Sequence, residues 1–287
     1  MPVTGKRLRR LKDLTARIDP YRPLLDGVEI WDIHGHIGCD IDGSVMSAAE
    51  LVQRMDLLGV QKSIVFPMND PNQGFCFSGP NEAVRQAHLA FPDRLIPFFR
   101  LNPNFDARSE YELRLSQGFK GIKLHPRSQA FEIAGPEVMR VYGWAERDGL
   151  PILIHTGRGA ADVARSIRLI ADRHPSLRLI LGHSAAYELK DCCARCRNCD
   201  WVLFDTSSMG KEKLRELLES VDPGKVVFGS DVPFDEQAED LLHLLEVAND
   251  LDLERETLAA ILGGNLRRWL DQGPSCRFSC PLEEGEL

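Results

Sequence analysis

The sequence predicts one α/β domain, a somewhat distorted (β/α)8 TIM barrel with an N-terminal lead-in and an extra C-terminal helix. Three observations carry that expectation. From residue 28 to about residue 250, apolar runs of strand length alternate with amphipathic stretches of helix length, with no break in composition. The alternation repeats eight times, and strands separated by helices pair in parallel through right-handed crossovers, which eight units satisfy most naturally by closing on themselves. The first strand ends in histidines rather than in the Gly-rich phosphate fingerprint that usually follows the first strand of an open doubly wound sheet. A length of 287 residues suits one such barrel, which commonly takes about 250.

Residues 1–27 read as a lead-in with a short helix, broken by Pro20 and Pro23. Strands are expected at 28–37, 61–68, 94–101, 120–125, 151–156, 177–184, 201–206 and 225–231, where β-branched and other apolar residues cluster. Helices are expected between and after them, at 47–59, 80–91, 107–117, 136–148, 160–173, 185–198, 211–220 and 235–249. Residues 254–270 add a last helix, interrupted by a break and cap at Gly263-Gly264-Asn265. The barrel domain thus spans 28–270, and 271–287 form a loose tail.

With 43% hydrophobic and 27% charged residues the composition is that of an ordinary soluble globular protein. A formal net charge of -8 gives no electrostatic reason to expect nucleic acid or an anionic membrane as a partner. No apolar run approaches the ~20 residues of a membrane span. The basic N-terminus (Lys6, Arg7, Arg9, Arg10, Lys12) has no apolar stretch behind it, so no signal peptide is expected. Eight cysteines spread through a long chain suggest reduced thiols and a cytoplasmic setting. Self-association into a homo-oligomer is left open.

In barrels of this kind reactive groups sit at the C-terminal ends of the strands. Strand 1 delivers His34 and His36, two positions apart and so on one side of the strand, where both imidazoles can reach one metal ion. Strand 4 delivers Lys123 and His125, strand 5 His155, strand 6 His183, and strand 8 Asp231. Five of the eight histidines therefore fall at strand ends. Each alone reads as an ordinary hydrogen-bonded residue, but the set would need that coincidence five times over. Arg100, at the end of strand 3, and Arg127, after His125, are candidates for pairing with a substrate carboxylate, with loop ion pairs as the plainer account. Asp205 and Thr206 after strand 7 are read as orienting the His183 side, without a catalytic role.

The order His-x-His, Lys-x-His, His, His, Asp along the strand ends resembles the amidohydrolase superfamily. The runs Gly121-Ile122-Lys123-Leu124-His125-Pro126, Ile154-His155-Thr156-Gly157, Gly182-His183-Ser184, Phe228-Gly229-Ser230-Asp231 and Gly263-Gly264-Asn265-Leu266 resemble more narrowly its amidohydrolase-related (amidohydrolase 2) branch, which includes aminocarboxymuconate-semialdehyde decarboxylase. The resemblance spans residues 30–270. It implies that His34, His36, His155 and Asp231 ligate a divalent metal, usually one Zn2+, with His183 off the metal in one-metal members and a ligand in two-metal members. Lys123 matches the position that is carbamylated to bridge a second ion in two-metal relatives, and His125 resembles a substrate-contacting histidine. Lys123, His125, Arg127 and Arg100 make up the expected substrate-binding set. A zinc or similar ion with an open position lowers the pKa of bound water towards ~7. Asp231 can take and return a proton, and His183 can polarise the water or stabilise charge developing on a carbonyl oxygen.

The resemblance implies a metal-dependent hydrolase of a small amide, lactone or ester. A non-oxidative decarboxylase using the same metal site is the alternative. A TatD-like metal-dependent nuclease ranks below both, because it predicts a carboxylate after strand 4 and a positive groove.

Two other stretches call for a reading. Cys192, Cys196 and Cys199 fall at i, i+4 and i+7 of the helix after strand 6, so with Cys193 they are expected to pack as small apolar residues rather than hold metal. The long loop from Asn69 to Gly79, with Phe75 and Phe77, is a candidate lid over the site.

Overall fold

Strand–helix alternation brings apolar runs together side by side in the order in which they leave the chain, and the sheet here has that order. The computed structural model describes residues 5–196 and 199–271. Its strands are β1 (Ile30–Cys39), β2 (Val45–Met46), β3 (Val60–Pro67), β4 (Leu95–Arg100), β5 (Gly121–Leu124), β6 (Ile152–His155), β7 (Leu179–Gly182), β8 (Val202–Asp205) and β9 (Val226–Val227). They form one mixed sheet in the order β2-β1-β3-β4-β5-β6-β7-β8-β9. All neighbours are parallel except β2, which folds back antiparallel on β1 at Gly38 and Cys39. That small hairpin is an element the sequence reading did not anticipate.

Beyond the two residues of β9 the backbone runs against β1. The Ile33 N–H donates to the Phe228 carbonyl at 2.9 Å and the His36 N–H to the Val232 carbonyl at 2.8 Å, with one parallel bridge between Gly35 and Val232. The expected strand at 225–231 is therefore mostly replaced by an irregular segment. The architecture is α/β, and isolated bonds rather than a ladder link the two ends of the sheet.

Helices follow the strands much as expected. Pro136–Asp148 and Lys211–Ser220 agree residue for residue with the reading from periodicity. Ala48–Leu58 begins where the Ser47 hydroxyl accepts the Glu50 N–H, and it ends at Gly59 in the left-handed region. The helix after β7, Leu189–Cys196, starts later than expected, because a 3-10 turn occupies His183–Ala185. The lead-in helix is longer, Gly5–Ile18, and buries Leu11, Leu14 and Ile18. Its exposed side ties to the helix Gln237–Asp250 through Arg10–Glu239 and Arg17–Glu246.

Two apolar layers result. Ile33, Ile64, Phe66, Phe98, Leu153, Ile180, Leu203 and Val227 share the inner face of the sheet with Leu266 and Trp269 of the last helix, Asn265–Asp271. The alternate residues, such as Ile122, Ile152, Ile154, Leu179 and Leu181, pack outward with the surrounding helices. The expected break at Gly263-Gly264-Asn265 is instead a wide π turn, Ala260–Gly264, that runs straight into the last helix. A side chain at Gly263 would meet the Glu29 carbonyl, so the glycine permits close packing and does not cap. Asn265 donates to the carbonyls of Pro223 (2.7 Å) and Val226 (2.8 Å), fixing the turn to the end of β9.

Cys192, Cys193, Cys196 and Cys199 are buried and part of the outer core, as expected of apolar packing. Burial pushes the Cys192 thiol up to about 12 and Cys193 to about 11. Of the tail expected at 271–287, Asp271 belongs to the last helix, and 272–287, with Cys276 and Cys280, lie outside the described residues.

Candidate metal centre

β1 brings His34 and His36 inward, but not by simple alternation. Between Asp32 and Gly35 the strand advances three residues while β3 advances two, from Ser63 to Val65. A bulge of this kind re-aims side chains, and here Ile33, His34 and His36 all reach the interior side.

His34 is the centre of the cluster. Its Nδ1 lies 2.5 Å from Asp205 Oδ2, at the end of β8, and its Nε2 lies 2.7 Å from Lys123 Nζ and 3.1 Å from Asp231 Oδ1. His36 Nε2 is 3.0 Å from the same Asp231 oxygen. Ligand atoms of His34, His183 and Asp231 all lie within 4.8 Å of one another. Both His183 (φ 64°) and Asp231 (φ 57°) stand just past their strands on left-handed backbone. That conformation is uncommon for side-chain-bearing residues and is found where a site dictates it.

The remaining expected residues are distributed differently. His155 at the end of β6 stacks on His125 with ring centres 3.9 Å apart, and its Nε2 donates to the Arg158 carbonyl at 3.3 Å. It meets His183 edge to face at 4.7 Å and is not part of the close His34, His183 and Asp231 group. His125 sits just beyond β5, where its Nδ1 accepts the Ser128 N–H and caps the short helix Pro126–Gln129. Lys123 is buried beside His34 and lies over the Phe66 ring at 4.6 Å. Arg127 is exposed and lines a cavity of about 520 Å³ with Phe131, Ile133 and Arg165.

Arg100 is buried. It donates to the Pro67 carbonyl (3.2 Å) and Asn69 Oδ1 (2.9 Å), and its guanidinium covers Phe77 at 4.6 Å. The loop after β3 is thereby anchored: Phe77 is fully buried, while Phe75 stays exposed against Phe105.

Burial governs the charges. It pushes Lys123 down to about 7 against the pull of Asp231 and Asp205, and His36 down to about 3. It also depresses His155 to about 2, and His125 and His183 in the same direction. His34 is raised, since Asp205 and Asp231 outweigh burial and Lys123. Asp231 is held well below the usual carboxylate range despite burial, by the charges of His34 and His183.

This donor set fits a divalent cation. Imidazole nitrogens and the Asp231 carboxylate converge in a buried space, and Asp205 holds His34 by Nδ1 so that Nε2 can serve as a ligand. His34, His183 and Asp231 are the residues whose ligand atoms converge most closely, with His36 against Asp231.

A family model described as amidohydrolase matches residues 32–272. The chain belongs to the amidohydrolase family. No curated protein matches it significantly by sequence. Solved structures of similar fold include 5-carboxyvanillate decarboxylase from Sphingomonas paucimobilis, 14% identical with a TM-score of 0.62 over 85% of this chain and 99% of that one. A dihydroxybenzoic acid decarboxylase from Polaromonas sp., with bound manganese and the inhibitor 2-nitroresorcinol, is 14% identical with a TM-score of 0.65 over 85% and 97%. A probable 2-pyrone-4,6-dicarboxylic acid hydrolase from Acinetobacter baumannii, with citric acid bound, is 13% identical with a TM-score of 0.62 over 85% and 99%. These likenesses establish the fold shared by this amidohydrolase.

Three residues of the amidohydrolase site are assigned only in part, or not at all, by a reading of strand ends. Asp205 bonds His34 as well as the His183 N–H (3.4 Å), so the side it orients is mainly that of His34. The Ser207 hydroxyl lies 3.0 Å from His34 Nδ1, 3.1 Å from His183 Nδ1 and 2.6 Å from Asp205. No sequence signal marks this serine. Asp32 is the third, and its one signal is a place two residues before His34 on the same strand.

Proposed function

We propose that this amidohydrolase is a metal-dependent hydrolase of a small organic substrate with an amide, lactone or ester bond. The observation that carries the reading is the convergence of His34, His183 and Asp231 within 4.8 Å, with His36 on Asp231. A divalent ion held there supplies Lewis acidity and lowers the pKa of bound water. Asp231 accepts and returns the proton, and His183 stabilises negative charge on the carbonyl oxygen. His34, His36 and Asp231 are proposed ligands with His155, which would have to turn from His125 to join them. His125, Lys123 and Arg127 border the substrate, and Arg100 acts beneath them by holding the loop after β3. Residues 28–270 are taken as the catalytic unit, a somewhat distorted (β/α)8 barrel, with 1–27 as lead-in.

One Zn2+ is the proposed complement. The low pKa of Lys123, about 7, leaves an appreciable share of neutral amine, the form that carbamylation and a second ion would require. Buried cysteines packed as apolar residues suit a reducing, cytoplasmic setting.

A second reading, non-oxidative decarboxylation at the same centre, is favoured by the several decarboxylases among the similar structures, 2,6-dihydroxybenzoate decarboxylase as well as the two described above. The two are separated by their products. The metal-loaded protein is assayed in 18O-labelled water against lactones, esters, amides and aromatic carboxylic acids. Incorporation of label into a new carboxyl group supports hydrolysis. Carbon dioxide release without label sinks it in favour of the second reading.

A further inference from the structure

Where β1 meets the segment carrying Asp231, backbone pairing is reduced to isolated bonds and one bridge. Asp32 fills that seam. Its carboxylate is fully buried and accepts four hydrogen bonds from three segments. Oδ1 takes the N–H of His34 at 2.9 Å and of Ser230 at 3.1 Å. Oδ2 takes the Ser230 hydroxyl at 2.6 Å and Gln237 Nε2 at 2.6 Å. Ser230 Oγ in turn accepts the Val232 N–H at 3.4 Å. Each donor adjoins the proposed centre: one is the backbone of His34, one residue directly precedes Asp231, and Gln237 opens the helix that follows the Asp231 loop.

A buried carboxylate is costly unless hydrogen bonds compensate it, and an outward-facing apolar residue would suffice merely to fill space. Four donors gathered on one carboxylate place it at the joint between the His-x-His strand and the aspartate turn. We infer that Asp32 is a positioning residue, which fastens β1 to the Ser230–Asp231 turn and so sets the spacing of His34 and His36 against Asp231 for a divalent cation. The inference rests on the proposed metal reading. Asp32 touches neither the cation nor the substrate; it acts through the backbone of His34 and through Ser230.

The test is Co2+ binding by the full chain, wild type beside Asp32→Asn and Gln237→Leu. The visible absorption of bound cobalt reports coordination geometry, chelator competition reports affinity, and circular dichroism follows the fold. Asp32→Asn is expected to bind Co2+ roughly 10- to 100-fold more weakly, the usual range for loss of a residue that orients ligands, with an altered cobalt spectrum. Gln237→Leu, which keeps the charge and removes one donor, is expected to shift both in the same direction by less. A lowered melting temperature with unchanged affinity and spectrum in both variants would overturn the inference and leave Asp32 a simple staple. If Asp32→Asn does not fold, Gln237→Leu decides by the same two readouts. Wild-type protein that binds no cobalt would instead overturn the metal reading itself.

Discussion

His34 meets more of the centre than any other side chain: Asp205 and Ser207 at Nδ1, Lys123 and Asp231 at Nε2. Replacing it or His36 with alanine is expected to abolish stoichiometric metal binding, read by elemental analysis of the purified variant; full occupancy in either would refute the proposed ligands. Asp231→Asn keeps the shape and removes the charge. It is expected to lower turnover by roughly 10²- to 10⁴-fold, the range typical of a general acid or base, while the melting temperature stays near that of wild type. The cysteines give a third prediction at this scale. Among the described residues, only Cys39 and Cys76 have exposed or half-exposed thiols. Brief alkylation of native protein followed by peptide mass mapping should label these two and spare Cys192, Cys193, Cys196 and Cys199. Rapid labelling of the buried four would contradict their place in the core.

Much of this residue-level picture is legible from the order of residues along the chain, because strand ends on one side of a sheet must point their reactive groups into one space. What is not legible is pairing across strands. Asp205 is visible as an acid at a strand end, but only three-dimensional packing shows that it belongs to His34, far along the chain. Ser207 carries no signal at all, since a serine after a strand is ordinary. His155 fits its motif and yet stacks on His125, a preference between neighbouring rings that no spacing encodes.

At the scale of elements, periodicity locates whole helices well and fails where one residue changes the register. The β1 bulge is such a case. Strict alternation would put His34 and His36 on one side but would send Ile33 to the other, and the extra residue lets all three reach the interior. The shortness of β9 has a related cause. The apolar run Val226–Phe228 reads as the middle of a strand, and the glycine and serine after it release the backbone for the turn that aims Asp231. Gly229 belongs to this device: a side chain there would overlap Asp205 Oδ1 and press on Ile33. Gly229→Ala is therefore expected to destabilise the protein by roughly 1–3 kcal/mol, the usual cost of overpacking, measured by urea denaturation, and to weaken metal binding with it. An alanine variant as stable as wild type would show that Asp205 has room to retreat.

At the scale of the whole molecule, the inner layer of the sheet is completed by the last helix, with Leu266 and Trp269 packed against residues of the strands. Trp269 is 5% exposed, and its carbonyl accepts a hydrogen bond from Arg178 at 2.6 Å. Trp269→Ala is expected to cost roughly 3–5 kcal/mol in equilibrium unfolding; a loss under about 1 kcal/mol would mean that the helix contributes little to the inner core.

The seam between β1 and the Asp231 turn has a consequence in time. His36 and Asp231 are 195 positions apart, and a ribosome adding about 5–20 residues per second needs roughly 10–40 s to pass from one to the other. Through that interval the nascent chain carries the histidines without the carboxylate meant to face them. On the proposed reading, an ion gathered early would meet an incomplete set of ligands, so metal selection would belong to the finished polypeptide.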